Sequence, residues 1–133
     1  MTDWTPLTRH IEELITRNGV TIHELPMTND AHGYYDHEHK IIYISDQLPA
    51  RWRVATLAHE YHHHLRGHTG PQPQHVEDSV DEAAAKMIID PDAYARAETA
   101  VGSHPGALAV ELDTPKWIVE AWQRILARSI RTH

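Results

Sequence analysis

The first segment of the chain carries apolar residues at helical spacing. They recur at intervals of three and four residues, so they fall on one face of a helix. Thr5 and Pro6 suit its first turn, with Thr5 as the predicted N-cap, and Asn18-Gly19 is a typical ending. The pattern predicts a packing helix between these points, with an apolar face made of Leu7, Ile11, Leu14 and Ile15.

Short alternating and apolar runs follow this helix and predict three strands. Residues 20–25 alternate between apolar and polar positions, and residues 32–35 and 40–44 form two further strand-like runs. The last two runs are separated by a short polar segment, which favours a hairpin. The run at 40–44 is apolar enough to be buried, whereas Gly33 favours an edge position for the strand before it.

Helical periodicity returns after Pro49. A stripe predicts a helix over about residues 49–66, with Gly67 as its cap. The side chains of this stripe, which are expected to pack inward, are Val54, Ala58, Tyr61 and Leu65. Further helices are predicted near 75–89, 91–99, 104–112 and 115–129. The order of elements predicts an α+β fold with an N-terminal helix, a short three-stranded antiparallel or mixed sheet, and helices thereafter.

Composition narrows the class of protein. A chain of 133 residues with 41% apolar residues predicts one folded domain over residues 1–133. The absence of Cys excludes disulfides and Cys-based zinc sites. With no run that resembles a signal peptide or a membrane span, it favours the cytoplasm and no membrane partner. A formal net charge of −7 argues against DNA as a general partner.

The helix predicted over 49–66 contains His59-Glu60-x-x-His63, the H-E-x-x-H pattern. Residues four apart lie on one helix face, so His59 and His63 offer two imidazole nitrogens to one metal ion. Glu60 lies about 100° round the helix and suits the role of a base that acts on water. Because the chain contains 13 His, the motif needs an independent third ligand to support it.

Acidic residues at the start of the following helix are candidates for that third ligand. Glu77 offers a carboxylate oxygen. Asp81 follows one turn later on the same face, where it is placed to accept a hydrogen bond from a metal-binding His, with His59 as the favoured partner. Glu82 competes as third ligand although it points to a neighbouring face, and Asp78 is a weaker candidate.

Two segments of the sequence resemble a known family. Thr56-Leu57-Ala58-His59-Glu60-x-x-His63 resembles the T-L-A-H-E-x-x-H segment of the ImmA/IrrE-like zinc metallopeptidases. Glu77-x-x-Val80-Asp81-x-x-Ala84-Ala85 resembles the E-x-x-A-[ND]-x-x-A-A helix of the same family. The resemblance covers roughly residues 8–95. Two positions depart from it: His62 stands where the family usually has a small residue, and Val80 replaces Ala.

The resemblance implies a small zincin-like α+β domain around one zinc ion. By carry-over, His59, His63 and Glu77 are the metal ligands and Glu60 is the catalytic residue. Family members include phage and mobile-element proteins thought to cleave repressors. The implied function is therefore that of a zinc-dependent endopeptidase that hydrolyses a peptide bond in a protein partner, such as a phage or mobile-element repressor.

A peptidase also needs groups that bind the substrate and stabilise the oxyanion. The candidates near the motif are His32, Tyr34, Tyr35 and His62, and the sequence does not choose among them. The predicted edge strand near residues 31–36 is suited to bind an extended peptide by strand addition. This would place the peptide carbonyl over the metal.

The last two predicted helices provide an alternative function. Leu108-Ala109-x-x-Leu112-Asp113-Thr114-Pro115-x-x-x-Val119-x-x-Trp122 resembles a helix-turn-helix pattern within residues 104–129, with Asp113 in place of the usual turn Gly. Two ordinary packing helices would show the same apolar spacing. The second hypothesis is therefore a non-catalytic, metal-stabilised regulator that binds a repressor or DNA through these helices.

Overall fold

The computed structural model describes residues 1–28 and 31–131, and within them six helices and one three-stranded sheet form an α+β fold. The fold class predicted from the sequence is confirmed. The helices are α1 (Thr5–Arg17), α2 (Ala50–Leu65), α3 (Gln74–Ile88), α4 (Pro91–Val101), α5 (Pro105–Leu112) and α6 (Lys116–Arg131). The strands are β1 (Thr21–Leu25), β2 (Gly33–Asp36) and β3 (Ile41–Ser45).

The sheet is mixed, with the order β1-β3-β2, so β3 is its central strand. β1 runs parallel to β3, and β2 pairs with β3 antiparallel through the predicted hairpin. Ile42 and Ile44 of β3 are fully buried, which confirms the expectation of a buried strand at 40–44. β2 is an edge strand of this sheet, as the presence of Gly33 indicated.

α2 is the helix around which the core is built, since it packs against α1, β2, β3 and α3. Several of its side chains are fully buried, among them Val54, Ala55, Leu57 and Ala58. Leu65 is different: it is 50% exposed, so the prediction that it packs inward was wrong. It lies in the last turn of α2, where the chain turns away through Gly67 and the apolar cluster no longer covers the helix.

The N-cap of α1 is Trp4, so the prediction that Thr5 caps this helix was wrong. The backbone N–H of Thr5 donates instead to Oδ1 of Asp3 at 3.0 Å. Trp4 is buried, and its indole N–H donates to the carbonyl of Asp113 at 2.9 Å. Burial of the large indole therefore fixes where the chain enters α1.

α5 and α6 pack onto the rest of the fold. Asp113 joins them in a left-handed backbone conformation (φ 56°, ψ 50°), the turn geometry that Asp tolerates better than most residues. α6 lies against α3, with Ile118, Val119 and Ala121 fully buried. These contacts are those expected of two packing helices. Among the described residues, no helix combines the length and the apolar character that crossing a membrane requires.

Gly33 allows β2 to lie very close to α2. A Cβ atom at this position would be 2.7 Å from Cγ2 of Thr56, 3.2 Å from the carbonyl oxygen of Tyr43 and 3.4 Å from Cγ of Glu60. The first distance is far below the usual carbon–carbon contact of about 3.5–4.0 Å. Because Glu60 is one of these neighbours, the close approach of β2 sets the width of the cleft beside the H-E-x-x-H helix.

We expect Gly33→Ala to lower the free energy of unfolding by about 1–3 kcal/mol, because the added methyl group overpacks the contact between β2 and α2. Thr56→Ser removes Cγ2 and keeps the hydroxyl, so G33A/T56S should recover much of the loss. Chemical denaturation of the two variants and of T56S alone measures the effect. Equal stability of G33A and the double variant would show that Thr56 does not limit the approach.

Candidate metal centre

The two helices that carry the motif residues pack side by side in opposite directions. His63 of α2 faces Glu77 in the first turn of α3. His59, one turn earlier on α2, faces Asp81, one turn later on α3. Pro73 gives the chain an extended entry into α3 (φ −57°, ψ 154°). The antiparallel packing thus brings the two acidic residues of α3 to the two histidines of α2.

Three possible ligand atoms converge at this contact. Nε2 of His63 is 3.1 Å from Nε2 of His59 and 3.2 Å from Oε2 of Glu77, and the distance from Nε2 of His59 to the same oxygen is 3.4 Å. Ligands bound at roughly 2.0–2.1 Å to a tetrahedral zinc ion lie about 3.3 Å from one another. Two imidazole nitrogens and one carboxylate oxygen therefore have the spacing that a single metal ion requires.

Glu60 lies beside these three atoms and is buried. Its Oε1 is 3.8 Å from Nε2 of His59, and one ligand atom each from Glu60, His59 and His63 lies within 4.8 Å of the others. The oxygen of Glu77 is closer than this to both histidines. On distance, Glu77 is therefore the better third ligand, and Glu60 occupies the position next to the ligands.

The carboxylates around the two histidines alter one another's protonation. Burial raises the pKa of Glu60 to about 7; His59 opposes this shift, and Glu77 and Asp81 add to it. Burial disfavours the charged form of His59, but its 2.8 Å hydrogen bond to Asp81 and the neighbouring carboxylates outweigh burial, so the pKa of His59 is raised. Burial, and then the charge of His59, lower the pKa of His63, which favours the neutral form in which an imidazole binds a metal.

Glu82, the competing third ligand, is held elsewhere by the last helix. Its carboxylate accepts a hydrogen bond from Nε of Arg124 at 3.1 Å and a second from Arg128. The hydrogen bond from Arg128 holds the pKa of Glu82 below its usual range, against the effect of burial and with help from Arg124. Asp78 interacts with Gln74 at 2.8 Å. Neither acid is directed to the two histidines.

Three of the predicted substrate-binding residues, Tyr34, Tyr35 and His32, line cavities at the site. Tyr34 is 53% exposed and borders a cavity of about 180 Å³ that also includes His59, Glu60 and Glu77 in its wall. His32 borders a second cavity of about 300 Å³ on the same cleft. Its ring stacks on Trp52, with centroids 4.6 Å apart and planes inclined by 17°. Tyr34 and His32 are therefore both available to a substrate.

Two of the predicted substrate-binding residues, Tyr35 and His62, have their polar atoms engaged elsewhere. Tyr35 is buried, and its hydroxyl lies 2.6 Å from Nδ1 of His64 and 3.3 Å from Nδ1 of His37. Nε2 of His62 is 3.1 Å from Sδ of Met87, and His62 lines neither of the two cavities. His62, one of the predicted oxyanion candidates, is therefore directed to α3 and away from the two cavities.

Trp117 lies at the site, although the sequence did not identify it as a candidate. Its ring stands nearly perpendicular to that of His59, with centroids 5.8 Å apart, and it borders the 300 Å³ cavity together with Trp52. It lies at the start of α6, far along the chain from the motif. Only the packing of α6 on α3 reveals this proximity, and no local sequence signal marks it.

An α+β domain in which an H-E-x-x-H helix meets a carboxylate from the next helix has the fold and the candidate site expected of a metallopeptidase. A family model described as "Putative metallopeptidase family (DUF6782)" matches residues 7–102, well over half of the chain. The chain is therefore a member of this family. No curated protein matches the chain. The matched range includes both helices of the site, and family and site together indicate a bound metal ion.

Metal content distinguishes the two candidate third ligands. His63→Ala and Glu77→Ala should each reduce the bound metal from about one ion per chain to a small fraction, because each leaves only two of the three ligands. Elemental analysis after dialysis measures this. Glu82→Ala is the matched control on the same helix and should keep its metal while losing the contacts to α6. Full metal in E77A would exclude Glu77 as the third ligand, and loss of metal in E82A with metal retained in E77A would assign that role to Glu82.

Proposed function

We propose that this protein is a zinc-dependent endopeptidase of the ImmA/IrrE-like kind, with a protein as its substrate. The observation that carries the proposal is the convergence of His59, His63 and Glu77, with the buried carboxylate of Glu60 beside them at an open cleft. A structural zinc site surrounds its ion with four protein ligands and needs no such neighbour. Two imidazoles and one carboxylate at tetrahedral spacing favour zinc.

Glu60 is the group that moves the proton in this proposal. When bound, zinc acidifies a water molecule and polarises the scissile carbonyl. Glu60 accepts a proton from the attacking water as the carbon–oxygen bond forms, and delivers it to the amide nitrogen as the carbon–nitrogen bond breaks. Burial raises the pKa of Glu60 to about 7, and a cation bound beside it would lower that pKa and favour the ionised form that accepts the proton. Asp81 keeps the ring of His59 in place by accepting the hydrogen of Nδ1.

The edge strand β2 is the proposed binding site for the substrate backbone. The N–H of Ser45 donates to the carbonyl of His32, so pairing with β3 uses the backbone groups of His32 and, two residues on, those of Tyr34. The alternating pattern of an antiparallel pair then directs the N–H and C=O groups of Gly33 and Tyr35 to the open edge. An extended peptide that pairs with these groups lies alongside Glu60, which is next to Gly33.

The two cavities of the cleft are suited to substrate side chains. Both are bordered by Gly33, His59 and Glu60, so side chains on either side of the scissile bond would enter different cavities. The larger one has the rings of Trp52 and Trp117 in its wall. We propose that it receives an apolar or aromatic side chain, since ring–ring contacts favour such a residue.

The proposal that the substrate is a phage or mobile-element repressor rests on the motif resemblance. DNA binding through α5 and α6 has less support. Arg124 and Arg128, two cations of the helix that would read DNA, both pair with Glu82. The net charge of −7 also opposes contact with phosphates. The regulator hypothesis therefore stays a prediction from the sequence and forms no part of the proposed function.

Glu60→Gln tests the proposed reaction, because it keeps the shape of the side chain and removes the proton acceptor. Peptide hydrolysis should fall by about 10²–10⁴-fold while the metal content stays at about one ion per chain. Turnover of peptide and protein substrates, measured with elemental analysis on the same sample, gives both values. Glu38→Gln, on the exposed hairpin turn, should retain full activity. An E60Q variant as active as wild type would exclude Glu60 as the base.

Trp117→Ala tests the proposed side-chain cavity. The variant should lose most of its preference for an aromatic residue at one position beside the cleaved bond, and a difference of about 1–2 kcal/mol corresponds to roughly 5–30-fold in relative kcat/KM. Cleavage of a peptide library measures the preference at each position. Trp122→Ala, the same change farther along α6 beside Tyr94, is the control for loss of packing. Equal preferences in the two variants would contradict the assignment.

A further inference from the structure

We propose that His68 is a positioning residue of the metal centre, which holds the ring of His63 in the orientation and tautomer needed for binding metal. This inference rests on the proposed function in one respect, namely that His63 is a metal ligand. Neither the H-E-x-x-H motif nor the acidic helix includes His68, which lies beyond the end of α2. It borders the same 180 Å³ cavity as His63 and Glu77.

The contact between the two rings defines the role. Nδ1 of His63 lies 2.9 Å from Nδ1 of His68, with ring centroids 5.1 Å apart. Nε2 of His63 is the atom that points to His59 and Glu77. A neutral imidazole that binds metal through Nε2 carries its hydrogen on Nδ1, so His63 donates and His68 accepts. His68 thus does for His63 what Asp81 does for His59.

The backbone at the end of α2 is folded so as to make this contact. Gly67 follows the helix with φ +67°, and its N–H donates to the carbonyl of His64 at 3.0 Å. The N–H of His68 donates to the carbonyl of His63, also at 3.0 Å. These two bonds form a Schellman cap, which places the residue after the glycine against the residue five positions earlier. The cap therefore sets the side chain of His68 on that of His63.

The same cap at the end of α1 shows which kind of side-chain contact is usual between the residue after the glycine and the residue five positions earlier. Gly19 has φ +76°, its N–H donates to the carbonyl of Thr16 at 3.0 Å, and the N–H of Val20 donates to that of Ile15 at 3.1 Å. Val20 and Ile15 are buried apolar residues, the usual pairing in this motif. In α2 two imidazoles occupy the equivalent positions. An apolar contact would have served the helix equally well, so the polar pair points to a requirement of the site.

The geometry also separates this role from direct coordination. A fourth protein ligand would have a ring nitrogen close to Nε2 of His59 and to Oε2 of Glu77. The nitrogen of His68 that makes contact faces Nδ1 of His63, on the opposite side of that ring from the three converging atoms. A residue in this position orients a ligand and leaves the fourth coordination position to water.

The test compares zinc affinity in variants that keep or remove the acceptor. In His68→Asn, Oδ1 takes the place of Nδ1 and can accept the same hydrogen bond, whereas His68→Ala cannot. Competition with a chelator should show zinc bound about 10–100-fold more weakly by H68A, and within about threefold of wild type by H68N. His75→Ala, an exposed His on α3, should match wild type. The Nδ1–H signal of His63 in nitrogen NMR of the zinc-loaded protein should be protected in wild type and H68N only.

The outcomes that overturn the proposal are distinct from failure of the proposed function. Wild-type affinity in H68A, or equal weakening in H68A and H68N, shows that the acceptor on His68 does not matter. A loss of about a thousandfold or more in both variants assigns His68 as a ligand, since second-sphere partners contribute less than this. If wild type itself binds no zinc, the proposed function fails first, and that result is visible before any variant is made.

A second pair of variants tests the cap. Gly67→Ala and Gly19→Ala both force a Cβ onto a positive-φ residue, and in neither case does the added atom clash: nothing lies within 4 Å at Gly19, and the nearest atom at Gly67 is Cε1 of His37, 3.9 Å away. Both variants should therefore lose stability to a similar degree. Only G67A should also bind zinc more weakly, by several-fold, because only it displaces His68. Equal zinc affinity in the two variants would show that the cap is not part of the site.

Discussion

The site depends on one contact, the antiparallel packing of α2 on α3. Both helices bury small residues, Ala55 and Ala58 on α2 and Ala84 and Ala85 on α3, and small side chains allow helix axes to approach closely. Polar contacts between the C-terminal part of α2 and the N-terminal half of α3 fix the register between the two helices. It pairs each histidine of the motif with one acid of α3, and Arg66 donates to Ser79 at 2.9 Å beside them. A slip of one turn would separate every pair at once.

This register concentrates charged groups in a small, partly buried region, and such a cluster does not by itself stabilise the fold. Three carboxylates, those of Glu60, Glu77 and Asp81, surround two imidazoles, and Glu60 is buried. Burial of a carboxyl is costly, which is the physical meaning of the raised pKa of Glu60. A bound cation would offset that cost, so metal binding and folding stability are coupled here. The arrangement lowers folding stability, and its capacity to bind a cation explains why it is present.

Periodicity and spacing were sufficient to predict the helices and strands, because each element has its own apolar face or turn residues. Periodicity and spacing did not distinguish Glu77 from Glu82 as the third ligand. Both acids lie on one predicted helix, and what separates them is the pair of arginines on α6, more than forty positions along the chain. The orientation of side chains within the motif could not be predicted either, because the sequence does not show that His62 contacts Met87. Local pattern thus predicts elements, and tertiary contacts assign the roles of neighbouring residues.

One of the residues that would select the substrate lies outside the part of the chain that carries the residues of the chemistry. His59, Glu60, His63 and Glu77 all lie in the range that matches the family, residues 7–102. Trp117, a wall of the larger cavity, belongs to α6 beyond that range. It meets the site through a ring contact with His59 and not through a ligand atom. Substitutions in this helix can therefore alter the shape of the cleft while the atoms that would hold the metal and move the proton stay in place.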